Sequence, residues 1–416
     1  MKPDPRTSLP LSIGVSRRLL ALFLVFVFTP VLGRTSSEPV FPDLQSADAL
    51  GADLFLQSGS TGMVLVVVRD KQVFFKGYGQ TAPNSGQVPT VDSIVRLCSL
   101  TKIFTTDLLN KLAKDKTVTL DDQLQLYAPA HTVVPKRMKP ITLLDLATHT
   151  AGLPREIGAA PRGTAHFTFP DYRTRWRWLP SQHLRTVPGS AAVYSNVGFD
   201  LLGDALQSAA HKPFAALLAE RTLHPLRMYQ TTYFPSELQC AQLLISSRDE
   251  GPCTSTEASA GSSGLYSTPA DMTIWLKYLL GNADPTIQAQ DSAAQAFYIP
   301  LSKLASSMGL DHAGVPTAVG LGWLHLFSAT DPSHIVEKTG GGAGFTTYIA
   351  FNRPSHTAIF VAATGGRIDT HFNLFKGANN VLLTLAGLPS VPPDPPKPAI
   401  RVARKHLPRQ RRPRRG

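Results

Sequence analysis

Three short runs in this 416-residue chain carry side chains suited to acyl-transfer chemistry. The first is Ser99-Leu100-Thr101-Lys102. On a helix that begins at Ser99, positions i and i+3 share a face, so the Lys102 amine lies beside the Ser99 hydroxyl. The helix N-terminus adds a positive field that favours an alkoxide and depresses the amine pKa. A serine hydroxyl is a poor nucleophile until a neighbouring base takes its proton, and a partly desolvated lysine helps do that. The second run is Tyr194-Ser195-Asn196, behind the turn Pro188-Gly189-Ser190. From a loop, a phenol and an amide two residues apart can project together into a cleft. Nearby lysines would lower the phenol pKa, and the amide would hold a substrate carbonyl. The third is Lys338-Thr339-Gly340, followed by Gly341-Gly342-Ala343-Gly344, at the end of a β run over 334–337. A cation and a hydroxyl at a strand end can bind an anionic substrate terminus, and glycines let a backbone N–H reach a developing oxyanion. Each run alone has a plain alternative: a surface Ser/Lys pair, a loop with a packed tyrosine, a glycine hairpin.

Their order changes their weight. S-x-x-K, a Tyr-x-Asn 95 residues on, and K-T-G 142 residues after Asn196 form the ordered motif set of penicillin-interacting serine enzymes. The sequence resembles the class C β-lactamase type, with Y-x-N in place of S-D-N. Within that family it is similar to the AmpH-like periplasmic D-alanyl-D-alanine carboxypeptidases/endopeptidases. The likeness extends over about 45–388 through Asp92-Ser93-Ile94-Val95-Arg96, Leu146-Ala147-Thr148-His149-Thr150-Ala151-Gly152-Leu153-Pro154, Pro225-Leu226-Arg227-Met228, Gly264-Leu265-Tyr266-Ser267-Thr268 and Gly320-Leu321-Gly322-Trp323. It includes the glycines after Lys338-Thr339 and the Cys240/Cys253 pair. The basic tail and the long N-terminal lead depart from the family and inherit nothing from it.

The resemblance implies that Ser99 forms an acyl-enzyme while Lys102 and Tyr194 share the proton transfers. Which of the two is the base stays open, because closely coupled groups titrate as a set. Asn196 would hold Lys102 and the substrate amide, and Lys338, Thr339 and Gly340 would bind the substrate carboxylate end. The backbone N–H groups of Ser99 and Gly341 would form the oxyanion hole. The implied activity is a serine D,D-peptidase on peptidoglycan stem peptides, acylated by β-lactams and needing no cofactor. A β-lactamase or carboxylesterase on the same scaffold, and a non-hydrolytic penicillin or muropeptide binder, are the alternatives.

The elements that must position these runs are legible as patterns. A helix is expected over 46–56, then strands over 63–68 and 72–78 joined by a turn at Arg69-Asp70-Lys71. Helical patterns follow over 99–113, 141–148, 198–209 and 214–223, and from Thr268-Pro269 through residue 280. Strand patterns return over 318–327, 334–338, 345–351 and 358–363, before a last helix over 370–385. This pattern predicts one sheet built from both chain ends, with a mostly helical lobe inserted between. The resemblance implies the α+β class and a β-lactamase/D,D-peptidase-like fold, an antiparallel sheet flanked by helices. The expected lobes are a sheet lobe over about 45–84 and 260–388 and a helical lobe over about 85–259, within a hydrolase domain spanning 35–388.

The ends of the chain read differently. Residues 1–34 carry five Lys/Arg against one acid, and 389–416 carry nine against one, which leaves 35–388 at zero net charge. The formal charge of +12 therefore sits at the ends, and no nucleic-acid partner is expected. Arg17-Arg18 precedes ten apolar residues and then Gly33, a run shorter than the ~20 residues a membrane-crossing helix needs. The pattern predicts a signal peptide over 1–33 and a periplasmic protein, an uncleaved anchor being the alternative. Residues 389–416, with eight prolines, cannot bury a core and read as a disordered basic tail able to touch an anionic membrane surface.

Three cysteines in an exported protein leave three possible pairings, of which Cys240–Cys253 closes most cheaply. That disulfide is expected, with Cys98 reduced, buried and outside catalysis. Twelve histidines show no metal-ligand spacing, so no metal site is expected, and His149 reads as packed or capping. Trp176 and Trp178 read as core, and Arg367 as exposed or as a carboxylate contact.

Overall fold

A computed structural model describes residues 42–247, 251–281, 295–296, 298–310, 313–365 and 372–391. The expected signal peptide over 1–33, Arg367 and the tail beyond 391 lie outside the described residues. Helix α1 (Ala47–Ser58) leads into the hairpin β1 (Gly62–Arg69) and β2 (Gln72–Gly79). Asp70, at φ +51, makes the turn. A short strand β3 (Val95–Arg96) and a single 3-10 turn, Cys98–Leu100, open α2 (Thr101–Lys114). Then come α3 (Leu143–Ala147), α4 (Tyr172–Trp178), β4 (Ala192–Val193), α5 (Asn196–Ala210), α6 (Phe214–Leu218), α7 (Glu237–Ala241), β5 (Tyr266–Ser267) and α8 (Pro269–Leu279). The remainder is β6 (Ile299–Pro300), β7 (Ser307–Met308), β8 (Pro316–Val319), β9 (Leu324–Leu326), β10 (Ile335–Gly342), β11 (Phe345–Asn352), β12 (Thr357–Thr364) and α9 (Leu374–Leu385).

One sheet runs in the order β2-β1-β12-β11-β10-β9-β8-β6, with antiparallel neighbours throughout. The fold is thus the antiparallel α+β type of the sequence reading. Burial on both faces explains why β1 and β12 read as continuous apolar runs rather than alternating ones. Side chains still alternate between two cores. Val64, Val66 and Val68 join Phe360 and Ala362 in the core that includes α2, α5 and α8. Met63, Leu65 and Val67 join Ile359 and Val361 beneath α1 and α9.

Three sequence expectations are corrected. The run over 318–327 is two strands, β8 and β9, because Gly322 at φ +73 turns the chain between them. The run over 334–338 continues through Lys338-Thr339-Gly340 to Gly342, so the motif lies inside a strand and does not follow one. The hairpin comes later, at Ala343 and Gly344, both at positive φ. Asn196 is the first residue of α5 rather than part of a loop.

The disulfide joins Cys240 and Cys253, whose Cα atoms are 5.7 Å apart, and Cys98 is buried outside that disulfide. Trp176 is buried, and its indole donates to Asp204 Oδ2 over 2.8 Å. Among the described residues no helix is long and apolar enough to cross a membrane, and no cluster of His, Cys, Asp or Glu could hold a metal ion.

Candidate active site

Ser99 sits at the centre of the 3-10 turn that opens α2. Hydroxyls on α2 tie that turn to its surroundings. Thr101 Oγ1 accepts from the Leu265 N–H, Thr105 Oγ1 donates to Gly261 O, and Thr106 Oγ1 donates to Leu321 O. Leu97 N–H bonds Leu265 O, and Leu97 O accepts from Thr347 Oγ1 on β11. The nucleophile candidate is therefore held by segments from both the sheet and the helices.

Gly340 explains how close those segments come. A Cβ there would stand 2.1 Å from Thr347 Oγ1, 2.8 Å from Leu97 O and 3.3 Å from Ser99 N. Only a residue without a side chain lets β10 lie against the Ser99 turn. Gly341, the next residue, is exposed at the rim.

The Lys102 amine is fully buried and lies 3.4 Å from Ser99 Oγ, 2.6 Å from Asn196 Oδ1 and 2.9 Å from Ser262 O. The two shorter contacts go to oxygens that only accept. A neutral amine satisfies them with its two N–H groups, which leaves its lone pair for the Ser99 proton. Burial favours that neutral form and lowers the Lys102 pKa. Lys338 lowers it further, while Tyr194 and Asp200 raise it.

Tyr194 follows β4 and is held by its N–H to Met308 O. Its ring has Lys102 Nζ 4.9 Å, Lys338 Nζ 5.3 Å and the Arg155 guanidinium 4.5 Å from its centroid. Three basic side chains therefore surround one phenol ring. Lys338 itself donates to Thr339 O over 2.8 Å and is buried on β10.

Ser195 caps α5, accepting from the Gly198 N–H and donating to Pro154 O. Its own N–H bonds His149 Nδ1 at 3.1 Å, and the Asn196 N–H bonds Arg155 O. The stretch from His149 to Glu156 is thus the cradle of the Tyr-Ser-Asn run. His149 stacks on Tyr194 with centroids 4.4 Å apart. Burial first, then Lys102, Lys338 and Arg155, push the His149 pKa well down, so the ring is neutral and its Nδ1 free to accept.

All the residues singled out by the three motifs, Ser99, Lys102, Tyr194, Asn196, Lys338, Thr339, Gly340 and Gly341, converge on this one place. Sequence reasoning missed Glu156, whose Oε1 accepts from Asn196 Nδ2 at 2.5 Å, and Ser262, whose carbonyl holds Lys102. A signal existed in each case, since Arg155-Glu156 directly follows one family-like run and Ser262 lies two residues before another.

Residues 46–373 match the Beta-lactamase family. The chain belongs to that family. The D-alanyl-D-alanine-carboxypeptidase/endopeptidase AmpH of Escherichia coli (strain K12) is 39% identical over 355 residues, 84% of this chain and 91% of the relative. The crystal structure of a β-lactamase/D-alanine carboxypeptidase from Yersinia pestis, complexed with citrate, matches with TM-score 0.76 at 38% identity, over 83% of this chain and 99% of that one. A class C β-lactamase, only 18% identical, shares the fold of the β-lactamase family with TM-score 0.67 over 82% of this chain and 95% of its own.

Proposed function

We propose that this β-lactamase-family chain is a serine D,D-peptidase, a carboxypeptidase and endopeptidase acting on peptidoglycan stem peptides through a Ser99 acyl-enzyme. The observation that carries the reading is the buried Lys102 amine, 3.4 Å from Ser99 Oγ and held by the acceptors Asn196 Oδ1 and Ser262 O. The names of the Escherichia coli and Yersinia pestis relatives support the substrate class.

In the proposed reaction Ser99 Oγ bonds to the carbonyl carbon, and its proton passes to the Lys102/Tyr194 pair. The oxyanion is held by the Ser99 and Gly341 N–H groups. As the C–N bond breaks, Tyr194 returns the proton to the leaving amine. Water then attacks the ester, losing a proton to the same pair, and Ser99 regains its hydrogen. Lys338, Thr339 and Gly340 receive the substrate carboxylate end, and Asn196 the acyl-side amide.

The test is a panel of four substrates: a D-Ala-D-Ala pentapeptide, a cross-linked muropeptide, nitrocefin and a short-chain p-nitrophenyl ester. The largest kcat/KM should fall on the peptides. A larger value for nitrocefin or the ester would make the chain a β-lactamase or an esterase. Stable labelling without turnover would make it a binder.

The N-terminal pattern supports export to the periplasm, which N-terminal sequencing of the mature protein checks. The basic tail supports loose contact with an anionic membrane surface. Truncation at Pro389 should abolish salt-sensitive pelleting with anionic vesicles and leave hydrolysis unchanged, and equal pelleting would end the idea.

A further inference from the structure

Asp200 stands on α5 one turn beyond Asn196, is 2% exposed, and has no role in the reaction outlined above. Its carboxylate has the Ser262 side chain as a neighbour, and its Oδ1 has no hydrogen-bond partner. The Ser262 carbonyl accepts from Lys102 Nζ at 2.9 Å. Carboxylate, serine and amine therefore form one chain running from the interior of the helices to Ser99.

The packing of this chain is tight. A Cβ on Gly261 would meet Phe199 O at 2.2 Å and the Asp200 Cα at 2.8 Å, so the 261–262 backbone lies directly on α5. Thr105 Oγ1 holds Gly261 O from the other side over 2.8 Å. The Ser262 carbonyl has little freedom to move away from Lys102.

The charged and titratable groups around Asp200 come from four segments. They are Arg175 on α4, Lys102 on α2, Asp204 on α5 itself, and the Tyr233 phenol from the segment after α6. Arg175 is committed elsewhere. Its Nε and Nη2 each bond Asp204 at 2.6 Å, and its Nη1 bonds Pro170 O and Ala258 O. Asp200 also forms part of the wall of a cavity of about 430 Å³ bounded by Tyr172, Gln207, Phe214 and Glu257.

We propose that Asp200 is a positioning residue for Lys102: through Ser262 it fixes the carbonyl that holds the amine, and its charge acts on that amine. The proposal rests on the reading of Lys102 as a proton acceptor for Ser99. Burial raises the Asp200 pKa to about 7, so the carboxyl changes charge near neutrality. Above that pH its negative charge favours the protonated amine. Removing the charge makes the amine lose its proton at lower pH.

Asp200→Asn keeps the shape and removes the charge. Two readouts apply to full-length protein. The first is the titration of Lys102 in protein labelled with ¹³Cε-lysine, its resonance assigned by loss in Lys102→Met. The second is the pH profile of labelling by a fluorescent penicillin. The Lys102 titration and the acidic limb of labelling should both move to lower pH, by about one unit. An unmoved Lys102 titration would overturn the proposal, as would labelling that drops equally at all pH values with its limb in place. Should Asp200→Asn fail to fold, Asp200→Ser, smaller and equally uncharged, carries the same expectation. Absence of labelling in the wild type would contradict the proposed reaction, while the Lys102 titration would still decide the role of Asp200.

Discussion

Asn196 joins an amine and a carboxylate: its Oδ1 lies 2.6 Å from Lys102 Nζ, and its Nδ2 lies 2.5 Å from Glu156 Oε1. The amide orientation follows from those partners, since an ammonium or amine only donates to it and a carboxylate only accepts. In the proposed reaction the same Nδ2 donates to the substrate carbonyl, so Glu156 competes for it. Glu156→Ala should lower KM for a D-Ala-D-Ala peptide by about fivefold, the worth of one hydrogen bond, with kcat little changed. A raised KM would show instead that the carboxylate helps hold the substrate.

Tyr194→Phe keeps the ring among Lys102, Lys338 and Arg155 and removes only the hydroxyl. The acylation rate should fall by about 10²–10⁴. Stopped-flow acylation by a chromogenic β-lactam measures it. A rate near wild type would assign the whole proton transfer to Lys102.

Gly340→Ala places a methyl group 2.1 Å from Thr347 Oγ1 and 2.8 Å from Leu97 O. β10 must then withdraw from the Ser99 turn, breaking the Thr347–Leu97 bond. Overpacking of this kind costs about 1–3 kcal/mol, and displacement of the turn should reduce kcat/KM by about 10² or more. Thermal unfolding and kinetics on the same sample check both. Unchanged kinetics would mean that the close approach of β10 has no part in catalysis.

Stability should fall in acid partly through His325. Burial, then the neighbouring His334, lowers its pKa from 6.5 to about 4. The native state therefore binds fewer protons than the unfolded chain between those values. This contribution is intact above pH 6.5 and is lost as pH falls towards 4, up to about 3 kcal/mol. Denaturant titrations of wild type and His325→Gln at pH 7.5 and 4.5 should show a smaller acid loss in the variant. Equal losses would remove His325 as a cause.

Much of this was legible because its causes are local. Ser99 and Lys102 share a helical face by spacing alone, and the hairpin at Asp70 is bounded by two β runs. The Gly340 contact was not legible, since only tertiary packing brings Thr347 and Leu97 to that strand. The strand through Lys338-Thr339-Gly340 was cut short because glycines read locally as a turn, whereas pairing with β11 overrides that preference. Asp200 and Ser262 went unread for a similar reason: they lie 62 residues apart, and burial makes the carboxylate informative.

The central claim is that Ser99 carries the acyl group. Incubation of the full-length protein with benzylpenicillin, followed by peptide mass spectrometry, tests it most directly. The account requires one penicilloyl adduct on the peptide containing Ser99, absent from a folded Ser99→Ala variant. An adduct on another peptide, or one that persists in Ser99→Ala, would contradict it.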